Sequence, residues 1–145
     1  MTHANVAPRV AEIAQPEVVA LDATASIGEA ARTMATRRIG SVAVREDGRL
    51  VGLVTERDLL LRVLVHGADA GRPLREAMRA GVPRVEAAAT EEHCAALMRD
   101  HATRHLLVED AGQVIGVVSM RDVIDSMLNE KQFLIDQLAT YISGH

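Results

Sequence analysis

The chain repeats itself at a single spacing. Val51-Gly52-Leu53-Val54-Thr55-Glu56-Arg57-Asp58 falls on Ile115-Gly116-Val117-Val118-Ser119-Met120-Arg121-Asp122 at a shift of 64 residues. Without a gap, the same shift sets Val18 on Val82, Ala31 on Ala95, Met34 on Met98, Val44 on Val108, Gly48 on Gly112 and Leu64 on Leu128. Upstream, Val10-Ala11-Glu12 falls on Leu74-Arg75-Glu76. Matches held to one shift over this span mark a duplication, and each copy then has to be one supersecondary unit that shares its core with the other.

Both copies carry the same string of local signals. In the first, Val18 to Leu21 is a short extended piece, and Ser26-Ile27-Gly28-Glu29 has the form of a capping box. Ile27, Ala30, Ala31 and Met34 recur at helical spacing, which predicts a helix to about Arg37. Ser41 to Arg45 and Leu50 to Val54 are apolar runs around the turn pair Asp47-Gly48, a β-hairpin pattern. Asp58 to Val65 reads as a helix. In the second copy Thr90 caps a helix to about Asp100, His105 to Val108 and Val114 to Val118 pair around Ala111-Gly112, and a last helix starts at Ser119. Each copy is therefore β-α-β-β-α and too short to bury its own sheet. The expected fold is α/β of the α+β kind, with two units packed sheet to sheet about a pseudo-two-fold axis and helices outside. The units are placed at residues 6–66 and 74–129, with Gly67 to Pro73 as a polar linker. Residues 130–145 form a tail in which Phe133, Leu134, Ile135, Leu138, Tyr141 and Ile142 make an amphipathic helix, its stripe to be covered by the body or by a partner chain.

Composition removes several function classes. The chain has 145 residues, 48% hydrophobic and 25% charged, with a net charge of −4. That is a globular balance and a poor one for a broad nucleic-acid backbone surface. There is no Trp, and Tyr141 and Phe133 are the single Tyr and Phe, which disfavours base stacking on aromatic platforms. Cys94 is the only cysteine, so no intrachain disulfide or cysteine-based metal cluster can form. It lies opposite Ala30 in the repeat, on the helix's apolar side, and reads as a buried inert thiol. His93, His101 and His105 are too dispersed for one ion, so no metal is expected. No apolar run reaches membrane-span length, and no secretory signal opens the chain, so a cytoplasmic location is expected. No catalytic constellation is present, and the expected protein is not an enzyme.

The chemistry lies in Gly52-x-x-Thr55-x-x-Asp58 and Gly116-x-x-Ser119-x-x-Asp122, each where a strand ends and a helix begins. Unpaired backbone N–H groups and the helix dipole favour an anion there. A first-turn carboxylate can accept from vicinal ribose hydroxyls. A Thr or Ser followed three residues later by Asp is equally an ordinary helix cap. Two such sites at one shift, each after a Gly-containing hairpin strand, are a much rarer pattern.

Together with Ile39-Gly40-Ser41-Val42-Ala43-Val44, Asp47-Gly48-Arg49-Leu50 and Gly112-Gln113-Val114, these fragments make residues 6–128 resemble a tandem pair of cystathionine-beta-synthase (CBS) domains, a Bateman module. The resemblance implies a disk-like homodimer with clefts for adenosyl ligands: AMP, ADP or ATP first, S-adenosylmethionine or an NAD-type molecule otherwise. No cofactor is implied. It also implies a regulatory role toward an unidentified enzyme or transporter. Carried over by position, Asp58, Asp122, Thr55 and Ser119 would hold ribose. Phosphate would meet Arg104, His105 and Arg121 in the second copy, and Gly40, Ser41 and Arg57 in the first. Arg104 can grip phosphate with two prongs, and His105 would add charge at mildly acid pH. Arg37, Arg38 and Arg57 are as readily plain solvated charges. The base would lie against Gln15, Pro16 and Val18 in the Asp122 cleft, and against Met78, Gly81 and Val82 in the Asp58 cleft, between aliphatic side chains. A ligand-free dimeric adaptor with the same fold is the alternative, and a nucleic-acid accessory protein is a third class that the charge disfavours.

Overall fold

A computed structural model describes residues 8–15, 18–79 and 81–144. In the first copy a one-turn helix, α1 (Val10–Ile13), leads to β1 (Ala20–Asp22), α2 (Ile27–Arg37), β2 (Ser41–Glu46), β3 (Arg49–Thr55) and α3 (Glu56–Leu59). The second begins with a 3-10 turn at Leu74–Glu76 and continues as β4 (Arg84–Glu86), α4 (Glu91–Asp100), β5 (His105–Asp110), β6 (Gln113–Ser119) and α5 (Met120–Ser143). Two three-stranded sheets result, β1-β2-β3 and β4-β5-β6. In each, the first pair is parallel and the second antiparallel. Even the irregularities repeat, with a register shift at Val44/Arg45 and another at Val108/Glu109. The hairpin turns are two-residue turns with positive φ at both positions: 51° and 77° at Asp47-Gly48, 50° and 79° at Ala111-Gly112. That is the turn geometry whose twist suits antiparallel strands.

The predicted α+β architecture is present. Val42, Ala43 and Val44 are all buried, as are Leu106, Leu107 and Val108, so the middle strands are covered on both faces. One face of each sheet packs on its own helices. The other face meets the second sheet, where Ala43, Leu53, Leu107 and Val117 form a buried cluster. These four are two repeat-related pairs, so the seam is a contact of like with like.

The leading segments exchange partners. The Val10 and Ala11 N–H groups donate to Ala89 O and Ala87 O of the second copy at 2.9 and 3.0 Å. The Leu74 and Arg75 N–H groups donate to Ala25 O and Ala23 O of the first at 2.6 and 3.0 Å. Val10 is accordingly buried in the second copy's core and Leu74 in the first's. Each unit is completed by the lead of the other.

One expectation needs correcting. The helix of the first copy begins at Glu56 and is α-helical only to Leu59, after which Leu60–Val65 is wound as a π-helix. The Gly67–Pro73 linker is docked on the start of α2, where Ile27 N–H and Gly28 N–H donate to Arg72 O and Ala70 O at 2.9 and 2.8 Å. The tail continues the last helix: α5 runs unbroken for 24 residues, about 36 Å at the α-helical rise. Its apolar residues beyond Glu130 are not covered by the body of the chain, and Leu138 and Ile142 are 62% and 75% exposed.

One core position breaks the repeat. Ile27 opens α2 and is 1% exposed, whereas its counterpart Glu91 opens α4 with the same 1% exposure. Ser126 Oγ donates to Glu91 Oε2 at 2.7 Å. The hydrogen bond from Glu130 to Glu91, then burial, then repulsion from Glu91 and Glu92, push the Glu130 carboxyl up to about 7 from an ordinary 4.5. The folded chain therefore binds this proton more tightly than the unfolded chain. The stabilisation is full below pH 4.5 and is lost as the pH rises to about 7. The melting temperature should fall between pH 5 and pH 8, and Glu130→Gln should flatten that fall. An unchanged profile in the variant would show that this pair does not anchor α5.

Candidate functional site

Both acidic motifs form complete capping boxes. Ser119 N–H and Ser119 Oγ–H donate to Asp122 Oδ2 at 2.7 and 2.9 Å, and Asp122 N–H donates back to Ser119 Oγ at 3.2 Å. In the first copy Thr55 N–H and Oγ1–H donate to Asp58 Oδ2, both at 2.9 Å, with Asp58 N–H returning to Thr55 Oγ1 at 3.2 Å. The ordinary helix-cap reading is thus correct as far as it goes. It uses only one oxygen of each carboxylate.

The other oxygen is met by the opposite copy. Gln15 Nε2 donates to Asp122 Oδ1 at 2.5 Å. Arg79, the residue 64 places after Gln15, donates from Nε and Nη2 to Asp58 Oδ1 at 3.3 and 3.2 Å. The backbones match as well, with Gln15 N–H on Val117 O and Arg79 N–H on Leu53 O, each at 3.4 Å. The segment before each first strand therefore crosses to the acidic motif of the other copy.

A cleft of about 780 Å³ opens at Asp122, within the range of roughly 300–1,000 Å³ of small-molecule pockets. Its wall carries Gln15, Val18, Val117, Ser119, Arg121 and Asp122, and also Arg104 and His105 at the start of β5. Arg38, Ile39, Gly40 and Ser41 of the first copy line it too. Ser41 is the cross-strand partner of Thr55 in the first motif, and it also lines the cleft at Asp122. Three arginines, Arg38, Arg104 and Arg121, thus share a cavity with one ribose-type carboxylate and an aliphatic wall. Arg38 is the left-handed residue that ends α2, with φ 54°, and that bend brings it to the cleft.

The remaining predicted residues are placed as follows. Arg57 stands exposed beside Asp58. Met78 covers Gly52, whose added Cβ would lie 2.3 Å from the Met78 sulfur. Val82 packs into the sheet seam, and Gly81 has a positive φ of 71°. Pro16 lies outside the described residues. At His105 burial first, with Arg79 and Arg104 adding to it, lowers the pKa of the imidazole against the pull of Asp122 and Asp58. Cys94 is fully buried, and burial pushes its thiol up to about 11, too high for a reactive thiolate. Among the described residues no cluster of His, Cys, Asp or Glu could hold a metal, and no helix is long and apolar enough to cross a membrane.

The family model for the CBS domain matches twice, at residues 10–65 and 74–129. A CBS domain-containing protein of Bacillus subtilis, YhcV, is 30% identical over 115 residues, covering 79% of this chain and 82% of that one. A solved CBS-domain protein from Agrobacterium tumefaciens superposes with a TM-score of 0.77 at 31% identity, covering 88% of this chain and 98% of its own. A CBS domain protein of Pyrobaculum aerophilum, solved in complex with AMP, gives a TM-score of 0.69 at 31% identity over 79% of this chain and 89% of that one. The chain belongs to the CBS-domain family as a tandem pair.

Proposed function

We propose that the chain is a regulatory module that binds an adenine nucleotide in the Asp122 cleft and passes the bound state to a partner. The observation that carries this reading is the gathering of Asp122 and Ser119, the arginines Arg38, Arg104 and Arg121, and the aliphatic Val18 and Val117 in one cavity. The carboxylate suits a ribose, the arginines suit phosphate oxygens, and the aliphatic wall suits a purine face. The AMP complex of the Pyrobaculum aerophilum relative lends the ligand class. AMP, ADP and ATP fit this chemistry best, and S-adenosylmethionine or an NAD-type ligand would use the same ribose contact. Regulation of a separate enzyme or transporter, without catalysis by this chain, follows from the same reading. A ligand-free adaptor is the second reading, favoured by the fact that both carboxylates already serve as helix caps.

Calorimetric titration with AMP separates the two. The parent protein should bind, and Asp122→Ala should weaken binding by about 1.5–3 kcal/mol, the range for a hydrogen bond to a charged group. Folding should survive, since losing a cap costs about 1 kcal/mol. AMP should bind more tightly than adenosine, and Arg104→Ala should narrow that difference. Equal affinity for the two in the parent would remove Arg104 from the site. No heat and no thermal stabilisation with any of the adenosyl ligands would leave the adaptor reading.

The module is proposed to act as a homodimer through its outer helices. Leu134, Leu138 and Ile142 on α5, with Leu64 and Val65 on the π-helical turn, leave apolar surface in water, and burying each such side chain contributes roughly 1.5–3 kcal/mol. Light scattering over a dilution series should give twice the chain mass. A chain ending at Asn129 should dissociate at higher concentration. A monomer at micromolar concentration would reject the dimer, and an undiminished truncated dimer would reject the role of the tail.

A further inference from the structure

The repeat makes the two clefts directly comparable, position by position, and they differ at two places that matter to a ligand. The first is the oxygen that a ribose would use. At Asp122, among the described residues, that oxygen accepts from the neutral, exposed Gln15 amide, which two ribose hydroxyls can replace while the amide returns to water. At Asp58 it holds the Arg79 guanidinium, and the carboxylate is only 8% exposed. Replacing that cation by neutral hydroxyls would leave a buried carboxylate without its counter-charge.

The second place is the glycine that precedes each motif. Beside Gly116 the nearest side-chain atom of the described residues to an added Cβ is Val18 Cγ2 at 3.6 Å, an ordinary van der Waals contact that leaves the glycine uncrowded. Beside Gly52 the Met78 thioether already fills that space, its sulfur at 2.3 Å and its Cγ at 2.8 Å from the added Cβ. Met78 and Arg79 stand where the other cleft has Ala14 and Gln15. Two adjacent side chains thus occupy both the sugar and the base positions of the Asp58 cleft.

We infer that Met78 and Arg79 are a built-in plug, and that each chain takes one nucleotide, in the Asp122 cleft, while the Asp58 cleft is closed by its own side chains. The inference rests on the nucleotide-binding reading above and adds stoichiometry and the residues that set it. Its chemistry is that of an internal ligand: a thioether in place of a purine face, and a guanidinium in place of the ribose edge.

Titration of the full-length protein with AMP tests it. The parent should give one site per chain, and Asp122→Ala should abolish or strongly weaken that site with no second one emerging. The double variant Met78→Ala, Arg79→Gln rewrites the plug as the Ala-Gln pair of the other cleft, and it should bind two AMP per chain. Its circular dichroism and melting temperature establish that it is folded, and if it is not, Met78→Ala alone should admit the second ligand with weaker affinity. Two sites in the parent, or parent-like binding in Asp122→Ala, would overturn the plug while leaving nucleotide binding intact. One site in a folded double variant would overturn it as well. No AMP binding by the parent at all would instead fell the underlying reading, and the inference with it.

Discussion

The structure depends on the seam where Ala43 and Leu53 of one sheet meet Leu107 and Val117 of the other. Apart, each sheet would expose to water the apolar face that the seam now buries, and that burial is favourable. The seam also sets the distance between β2 and β5, whose starts carry Gly40-Ser41 and Arg104-His105. A cleft with walls from both copies is a direct result of that closeness. The exchanged leads reinforce it: Val10 is buried in the second copy and Leu74 in the first, so separating the copies would open both helical cores as well as the seam. The pair is one cooperative body, and its binding geometry is a property of the pair.

Much of this was legible in the sequence because a gapless repeat carries its own controls. The hairpins and the helix caps follow from local signals doubled at one spacing, whereas the meeting of Gln15 with the Asp122 cleft was implied by the family resemblance alone. The π-wound stretch at Leu60–Val65 was not legible, since its apolar residues suit an α-helix equally well. The burial of His105 was not legible either, since sequence gives a residue's ordinary pKa and not its surroundings. The reach of Arg79 to Asp58 was not legible for a different reason: the repeat sets it on Gln15, and no local signal shows that a guanidinium there turns to the acidic motif. The difference between the two copies, more than their likeness, separates the clefts.

The same lesson holds at Ile27 and Glu91. A duplicated chain can keep an apolar residue in one copy and install a buried acid in the other, because each copy's core is closed by different surroundings. Around Ile27 the stretch that follows the π-helix docks back on the start of α2, with the Ile27 N–H donating to Arg72 O. Around Glu91 the long α5 passes overhead and brings Ser126 and Glu130 within reach. The acid serves the helix that the first copy lacks.

That helix begins in the cleft. Asp122 is the third residue of α5, and the same carboxylate that caps the helix faces Gln15 across the cavity. From this fixed end the helix runs about 36 Å to an apolar face that the body of the chain does not cover. Ser126 and Glu130 hold the helix to Glu91 near its middle, so its last 13 residues, about 20 Å of helix, form the free arm. A tilt of one degree at that hold moves the tip by about 0.35 Å.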